Sequence, residues 1–507
     1  MSTRRTLRTV AVATAFATAP LGAQEHRHGE GGVGSVRFPT SCSTAVQPAF
    51  ERAVAALHSF WFPEAEKTFR EVAAANASCG LAWWGVAMTR LGNPLAGRPS
   101  PASERIATEA AARAAEVGGA TARERGYIAA VRALYGDAEG TDYRARMQAY
   151  EAAMADVTQA NPDDPEAAIF HALAMIANAP PTDLTFERQK QAAGVLNPLF
   201  ARQPNHPGLA HYIIHAYDSP ALAPLALDAA RRYAEIAPAA PHALHMPSHI
   251  FTRLGYWDES IATNARSAQS EPNPSGRFHP YDYMVYAFLQ QGRDREARTT
   301  IESSGGVVAE RPGYTITIIS YNHAAMPARY ALERAAWAEA ALLPEPAADL
   351  SEQSYPAAIT HFARAIGAAR NGDPAAARKG IAALETIERN VARQGDAYWA
   401  GVVKAQRLAA SAWTEHAAGD DEAAVRLAAE AADLEDTFEK HPVTPGPILP
   451  ARELQADLLA ELDRPAEALT AYEAVLIKEP NRARSTFGAA RAAERTGDTA
   501  KARQYYE

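Results

Sequence analysis

Six of the fifteen histidines in this 507-residue chain fall between His206 and His249. Four of them recur at a fixed interval. His211 and His215 are four residues apart, as are His245 and His249, and the second pair follows the first by 34 residues (245 − 211 = 34; 249 − 215 = 34). Neutral imidazole is the commonest protein ligand for zinc, copper, iron and nickel, and two imidazoles one helical turn apart can chelate one ion. The expected chemistry is therefore a divalent transition metal (Zn, Cu, Fe or Ni) held by His211, His215, His245 and His249. No cysteine lies nearby, which argues against a structural zinc site of the thiolate kind.

Further side chains extend the cluster. His242-Ala-Leu-His245 aligns with His279-Pro-Tyr-Asp282 at an offset of 37, so His242 matches His279, His245 matches Asp282 and His249 matches Tyr286. Ile169-Phe170-His171-Ala172 is similar to Ile213-Ile214-His215-Ala216, which puts His171 in the row of His215. Met326-Pro327-Ala-Arg329 repeats Met246-Pro247-Ser-His249 with arginine in place of histidine, as an anion-binding edge or a solvated side chain. His171, His206, Asp218, His242, His279, Asp282, Tyr286 and Arg329 are thus read as the lining of a ligand groove. Asp218 or Asp282 could add a carboxylate to the metal or hold an imidazole from behind. The competing reading is a metal-free groove that grips a peptide, with the imidazoles as donors and acceptors. Pro247, between His245 and His249, disfavours helix in the residue before it and is expected to distort the patch. His58, His323, His361, His416 and His441 are read as packing or hydrogen-bonded histidines.

The elements that must carry these residues are helices. The chain is 47% hydrophobic and alanine-rich, with no sustained alternation of the β kind. Ala468 and Tyr472 are answered by Ala502 and Tyr506, each 34 residues on, and Pro204, Pro238 and Pro272 share that spacing. Ala65, Phe69 and Val72 follow the same pattern near the front, where Trp83 opens the next unit. Gly255-Tyr256-Trp257 and Gly292 mark tight turns. In these positions the chain resembles the tetratricopeptide-repeat family over most of residues 45–507. The resemblance implies an all-α, right-handed superhelical solenoid of about ten helix-turn-helix repeats, with His and Asp on the concave face and a peptide or protein partner there. As a class such proteins are scaffolds, and the fold fixes no reaction. A metal-dependent hydrolase or oxygenase is the further alternative, with Asp218, Asp282 and Glu259 as candidate acid or base. No Ser–His–Asp signature, His-Glu-x-x-His helix or phosphate-cradling glycine loop is present, so no nucleotide cofactor is expected.

Net charge is −9, which leaves no basic footprint for nucleic acid. Residues 1–23 read as an export signal: Arg4, Arg5 and Arg8 precede an apolar stretch from Val10 to Ala19, with a cleavage site at Gly22-Ala23. Thr3-Arg4-Arg5-Thr6-Leu7 is similar to an incomplete twin-arginine motif. The mature protein is expected in the periplasm, without a transmembrane anchor. Cys42 and Cys79, the only cysteines, could be separate thiols, but the export signal favours a disulfide worth roughly 4 kcal/mol in the chain-entropy picture. The expected organisation is a flexible tail over 24–44, a first solenoid over 45–342 and further repeats over 343–507, divided at the Pro- and acid-rich stretch 343–354.

Overall fold

The computed structural model describes residues 32–136, 142–305, 316–346 and 355–507. The segment 1–23 read as an export signal lies outside these residues. All regular structure among the described residues is helical, from Gln47–His58 at the front to Thr499–Tyr506 at the end. Each helix packs chiefly on its predecessor and successor, so the chain is a solenoid of stacked helix pairs of the tetratricopeptide type. Among the described residues no helix is long and apolar enough to cross a membrane.

Local sequence sets the helix ends. Proline opens Pro101–Val117, Pro165–Ala177, Pro207–Ala216, Pro241–His245 and Pro374–Arg393, where its missing N–H costs nothing. Aspartate side chains cap several of the helix starts, among them Asp164, Asp373 and Asp498. Successive units approach at small residues: a Cβ added to Gly85 would lie 2.4 Å from the Phe69 ring. Phe69 is the aromatic knob of the first repeat, and Gly85 is its socket.

Residues 32–44 do not behave as a loose tail. The backbone N–H of Ser35 donates to Asn205 O and that of Ala239 to Gly32 O, each at 3.0 Å. Phe38 is fully buried against Phe50, Trp84 and Tyr127. The Cys42–Cys79 disulfide ties this segment to the start of helix Gly80–Leu91.

One apolar core runs from Phe38 to Phe251 and a second from Phe278 to Leu458. The second core spans the stretch 343–354, with Leu332 and Ile359 on either side of it, so the packing seam falls near 252–277 instead. The histidine-rich helices lie at that seam. The C-terminal repeats then fold back onto the central ones. A Cβ on Gly255 would meet Pro480 O at 2.4 Å, and the indole N–H of Trp257 donates to Asn481 O at 3.1 Å. Arg482, fully buried, reaches Glu453, Glu333 and Tyr286. The returning chain covers part of the histidine face, and pockets still reach His215, His242, His245 and His279.

Candidate metal centre

Helix Pro207–Ala216 carries His211 and His215. The next pair sits astride a break: Pro241–His245 ends and Pro247–Arg253 begins around Met246. Met246 nevertheless keeps helical dihedrals (φ −53°, ψ −35°), so His245 and His249 stay one turn apart despite the proline. His279 stands near the start of Phe278–Gln290.

The four expected ligands are not gathered around one point. His211 and His215 join His242, while His245 and His249 join His279; within each triad one nitrogen per ring lies within 4.8 Å of the others. The Nε2 atom of His211 is 3.1 Å from that of His215 and 3.2 Å from that of His242. His245 and His249 bring their Nε2 atoms to 3.0 Å. The triads abut, with ring centroids of His215 and His249 6.0 Å apart and those of His242 and His245 also 6.0 Å apart. The second triad is the first displaced by one repeat. Each takes the His-x-x-x-His pair of one unit and a single histidine from the next.

The outer nitrogens decide what the inner ones can do. His211 Nδ1 donates to the carbonyl oxygen of His58 at 2.6 Å, and His249 Nδ1 to Asp218 Oδ2 at 2.8 Å. His245 Nδ1 donates to Asn264 Oδ1 at 2.6 Å, and Asn264 in turn donates through Nδ2 to Ser260 O. A neutral imidazole with its proton on Nδ1 presents a bare lone pair at Nε2. In the second triad two such lone pairs face each other at 3.0 Å, an arrangement that repels unless a cation lies between them. Burial disfavours a proton in that role, pushing His245 well below the usual imidazole range and His249 below it despite the pull of Asp218. Burial likewise takes His211 down to about 3 and His215 and His242 well below 6.5. Two imidazole nitrogens on one ion at 2.0–2.1 Å stand about 2.9–3.4 Å apart, so the spacing is that of metal ligands.

A third cluster, His58, Glu166 and His206, offers the same count of ligands but not the same chemistry. Here every contact pairs a donor with an acceptor. His58 Nε2 donates to Glu166 at 2.8 Å and His206 Nε2 donates to it at 2.7 Å; His58 Nδ1 accepts from Tyr212, and His206 Nδ1 from the Leu209 amide. No lone pair is left facing another, so the set is a brace. It holds the His58 turn whose carbonyl orients His211. Burial alone would raise the Glu166 carboxyl, yet His206 and His58 hold it at about 2, below its ordinary 4.5. A carboxyl depressed on folding stabilises above its unfolded value and loses that contribution as pH falls. Metal-free protein is thus expected to lose about 3 kcal/mol from this group as pH drops from 4.5 towards 2. Urea unfolding across that range checks it, and Glu166→Gln should flatten the slope.

The remaining expected residues are placed as follows. Asp218 accepts from His249, Arg253 and Lys440, so it supports a ligand from behind. Burial would raise its carboxyl, but Lys440, Arg253 and His249 hold it well below the ordinary range. Asp282 is no ligand: Arg329 Nε donates to it at 2.9 Å. Arg329 is neither an anion-binding edge nor solvated. It is fully buried, donates also to Thr444 and Gly446, and lies over the Tyr286 ring at 5.3 Å. Tyr286 donates to Glu479 and lines a pocket away from the triads, with Arg253, Glu435 and Lys440. These three side chains occupy the place where a third triad would fall, with a guanidinium as resident cation. His206 belongs to the brace, and His171 stands apart, half-buried beside Glu151 and Arg188.

Phe60, Tyr283, Asn264 and Lys440 also belong to the site. Phe60 sits at φ 51° in the turn after Gln47–His58, a strained conformation for a non-glycine residue. Its ring covers the first triad, 4.4 Å from His211 and 5.2 Å from His242. Tyr283 covers the second, 4.9 Å from His245 and 5.3 Å from His279. Tyr283 at four residues beyond His279 was a readable signal; Asn264 and Lys440 left none.

No protein-family model matches the chain, and no curated protein matches it either. Among solved structures, Cut9–Hcn1 of the APC/C hetero-tetramer is 13% identical, covering 90% of this chain and 77% of its own, with a TM-score of 0.38. The human IFIT1 dimer with m7Gppp-AAAA is 11% identical over 80% of this chain and 85% of its own, with a TM-score of 0.35. The P58(IPK) TPR domain is 11% identical over 90% and 99%, with a TM-score of 0.21. Likenesses this loose carry no functional inference.

Proposed function

We propose that this chain is an exported helical-repeat protein that binds a pair of transition-metal ions, one in each histidine triad. The observation that carries this reading is the opposition of His245 Nε2 and His249 Nε2 at 3.0 Å, with each ring's proton fixed on its outer nitrogen. The first triad repeats the grouping of three imidazoles one repeat earlier. Six neutral imidazoles with no carboxylate or thiolate among them suit copper or zinc, and the general affinity order favours copper. The basic-apolar leader and the Cys42–Cys79 bridge support export to an oxidising compartment, the periplasm.

The peptide-groove alternative is weakened by burial, since His211 and His245 are at most 1% exposed. A second reading, a metal-dependent enzyme, is favoured by a pocket that reaches ligands of both triads. The test is metal content by mass spectrometry on untagged protein after incubation with zinc or copper and removal of free ion. About two ions per chain are expected, and about one in His279→Ala, which keeps the first triad whole. No bound ion under either condition overturns the proposal.

A further inference from the structure

Beside the two triads lies a pocket of about 160 Å³, and its walls name the kind of molecule that would fit. It touches His242 of the first triad together with His245 and His279 of the second, so its contents meet both centres at once. Phe60, Trp61 and four prolines supply the apolar walls. A cavity of about 150 Å³ takes a benzene ring, and aromatic and proline surfaces favour a flat ring over a branched aliphatic chain. No lysine or arginine is in the lining; Glu271 is its one carboxylate. The Glu271 carboxylate is oriented by the Asn273 amide, which donates to Oε1 at 3.0 Å. At that end of the pocket a positively charged group on the guest is favoured.

We infer that this pocket admits a single-ring phenol, preferentially one carrying an amine, with its oxygen towards the histidine triads and its ammonium beside Glu271. The inference rests on the two-metal reading of the same site. It adds the substrate class: one aromatic ring, a hydroxyl that a metal can attract, and a positive charge on the far side. The strained Phe60 turn serves both parts, since its ring packs on His242 (5.2 Å, 24° between planes) while also walling the pocket.

The test is calorimetric titration of zinc-loaded protein, which is redox-silent, with tyramine and with phenol, and with metal content measured on the same samples. Tyramine is expected to bind one to one, about tenfold tighter than phenol, a ratio typical of one ion-pair contact. In Glu271→Gln the tyramine advantage over phenol should vanish while phenol binding and metal content stay unchanged. Loaded protein that binds no ring, or that keeps the tyramine advantage in Glu271→Gln, overturns the inference and leaves the metal reading standing. Protein that takes up no metal overturns both.

Discussion

Arg482→Ala is expected to cost roughly 3–5 kcal/mol, because it leaves buried Glu333 without its cation and Glu453 with Arg484 alone. Arg482 is fully buried and makes a two-pronged contact with Glu453, at 2.7 and 2.9 Å, while one of its nitrogens also reaches Glu333 at 2.8 Å. A third nitrogen donates to the Tyr286 hydroxyl at 3.1 Å. Three helical units meet at this one guanidinium, so its loss should be felt at the join between central and C-terminal repeats more than inside either. Urea unfolding gives the magnitude. Hydrogen exchange locates it: amides of Phe278–Gln290 and Ala483–Thr496 should lose protection together, and those of the disulfide-linked front should not. Arg482→Lys should recover little, because an ammonium cannot serve two carboxylates and a hydroxyl in this planar arrangement.

Asp218→Ala is expected to weaken metal binding at the second triad by about 10–100-fold while leaving the first unchanged. The carboxylate holds the proton of His249 on Nδ1 and so keeps Nε2 bare. Without it the imidazole can rotate or change tautomer. The same substitution strands Arg253, which retains Glu439 at 3.1 Å, and Lys440, which burial already holds at about 8. Lys440 can release its proton, so the folded state should survive and the metal effect should be measurable. Competition against a chelator of known affinity separates the two centres. Equal weakening at both would remove Asp218 from the role assigned to it.

The repeat was legible because its signals are local. Phe69 with its small partner, the prolines at 34-residue spacing and the glycine turns each act between helices adjacent in the chain. The histidine pairs were legible for the same reason, being four residues apart on a helix. Their division into two triads was not. Deciding that His242 completes one set and His279 the other requires the rotation between neighbouring repeats, which no spacing within a helix reveals. Asn264 and Lys440 were missed because they come from a paired helix and from a distant return of the chain. Arg329 was misread for a related reason: its partners Gly446 and Thr444 lie more than a hundred residues on, in a segment with no motif. Residues 32–44 looked loose from composition, yet Phe38 finds a buried place among three aromatic rings.

The way each triad borrows one histidine from the following unit sets a counting rule of posts and gaps. Centres occupy the gaps between neighbouring units, so two centres take three consecutive units, and lengthening the row by one histidine-bearing unit would add one more. The row ends where the next gap holds Asp282, Tyr286 and Arg329, a cation supplied by the chain itself. Metal capacity in such an architecture is an integer written in the number of tandem units, adjustable by duplication without redesigning any single helix.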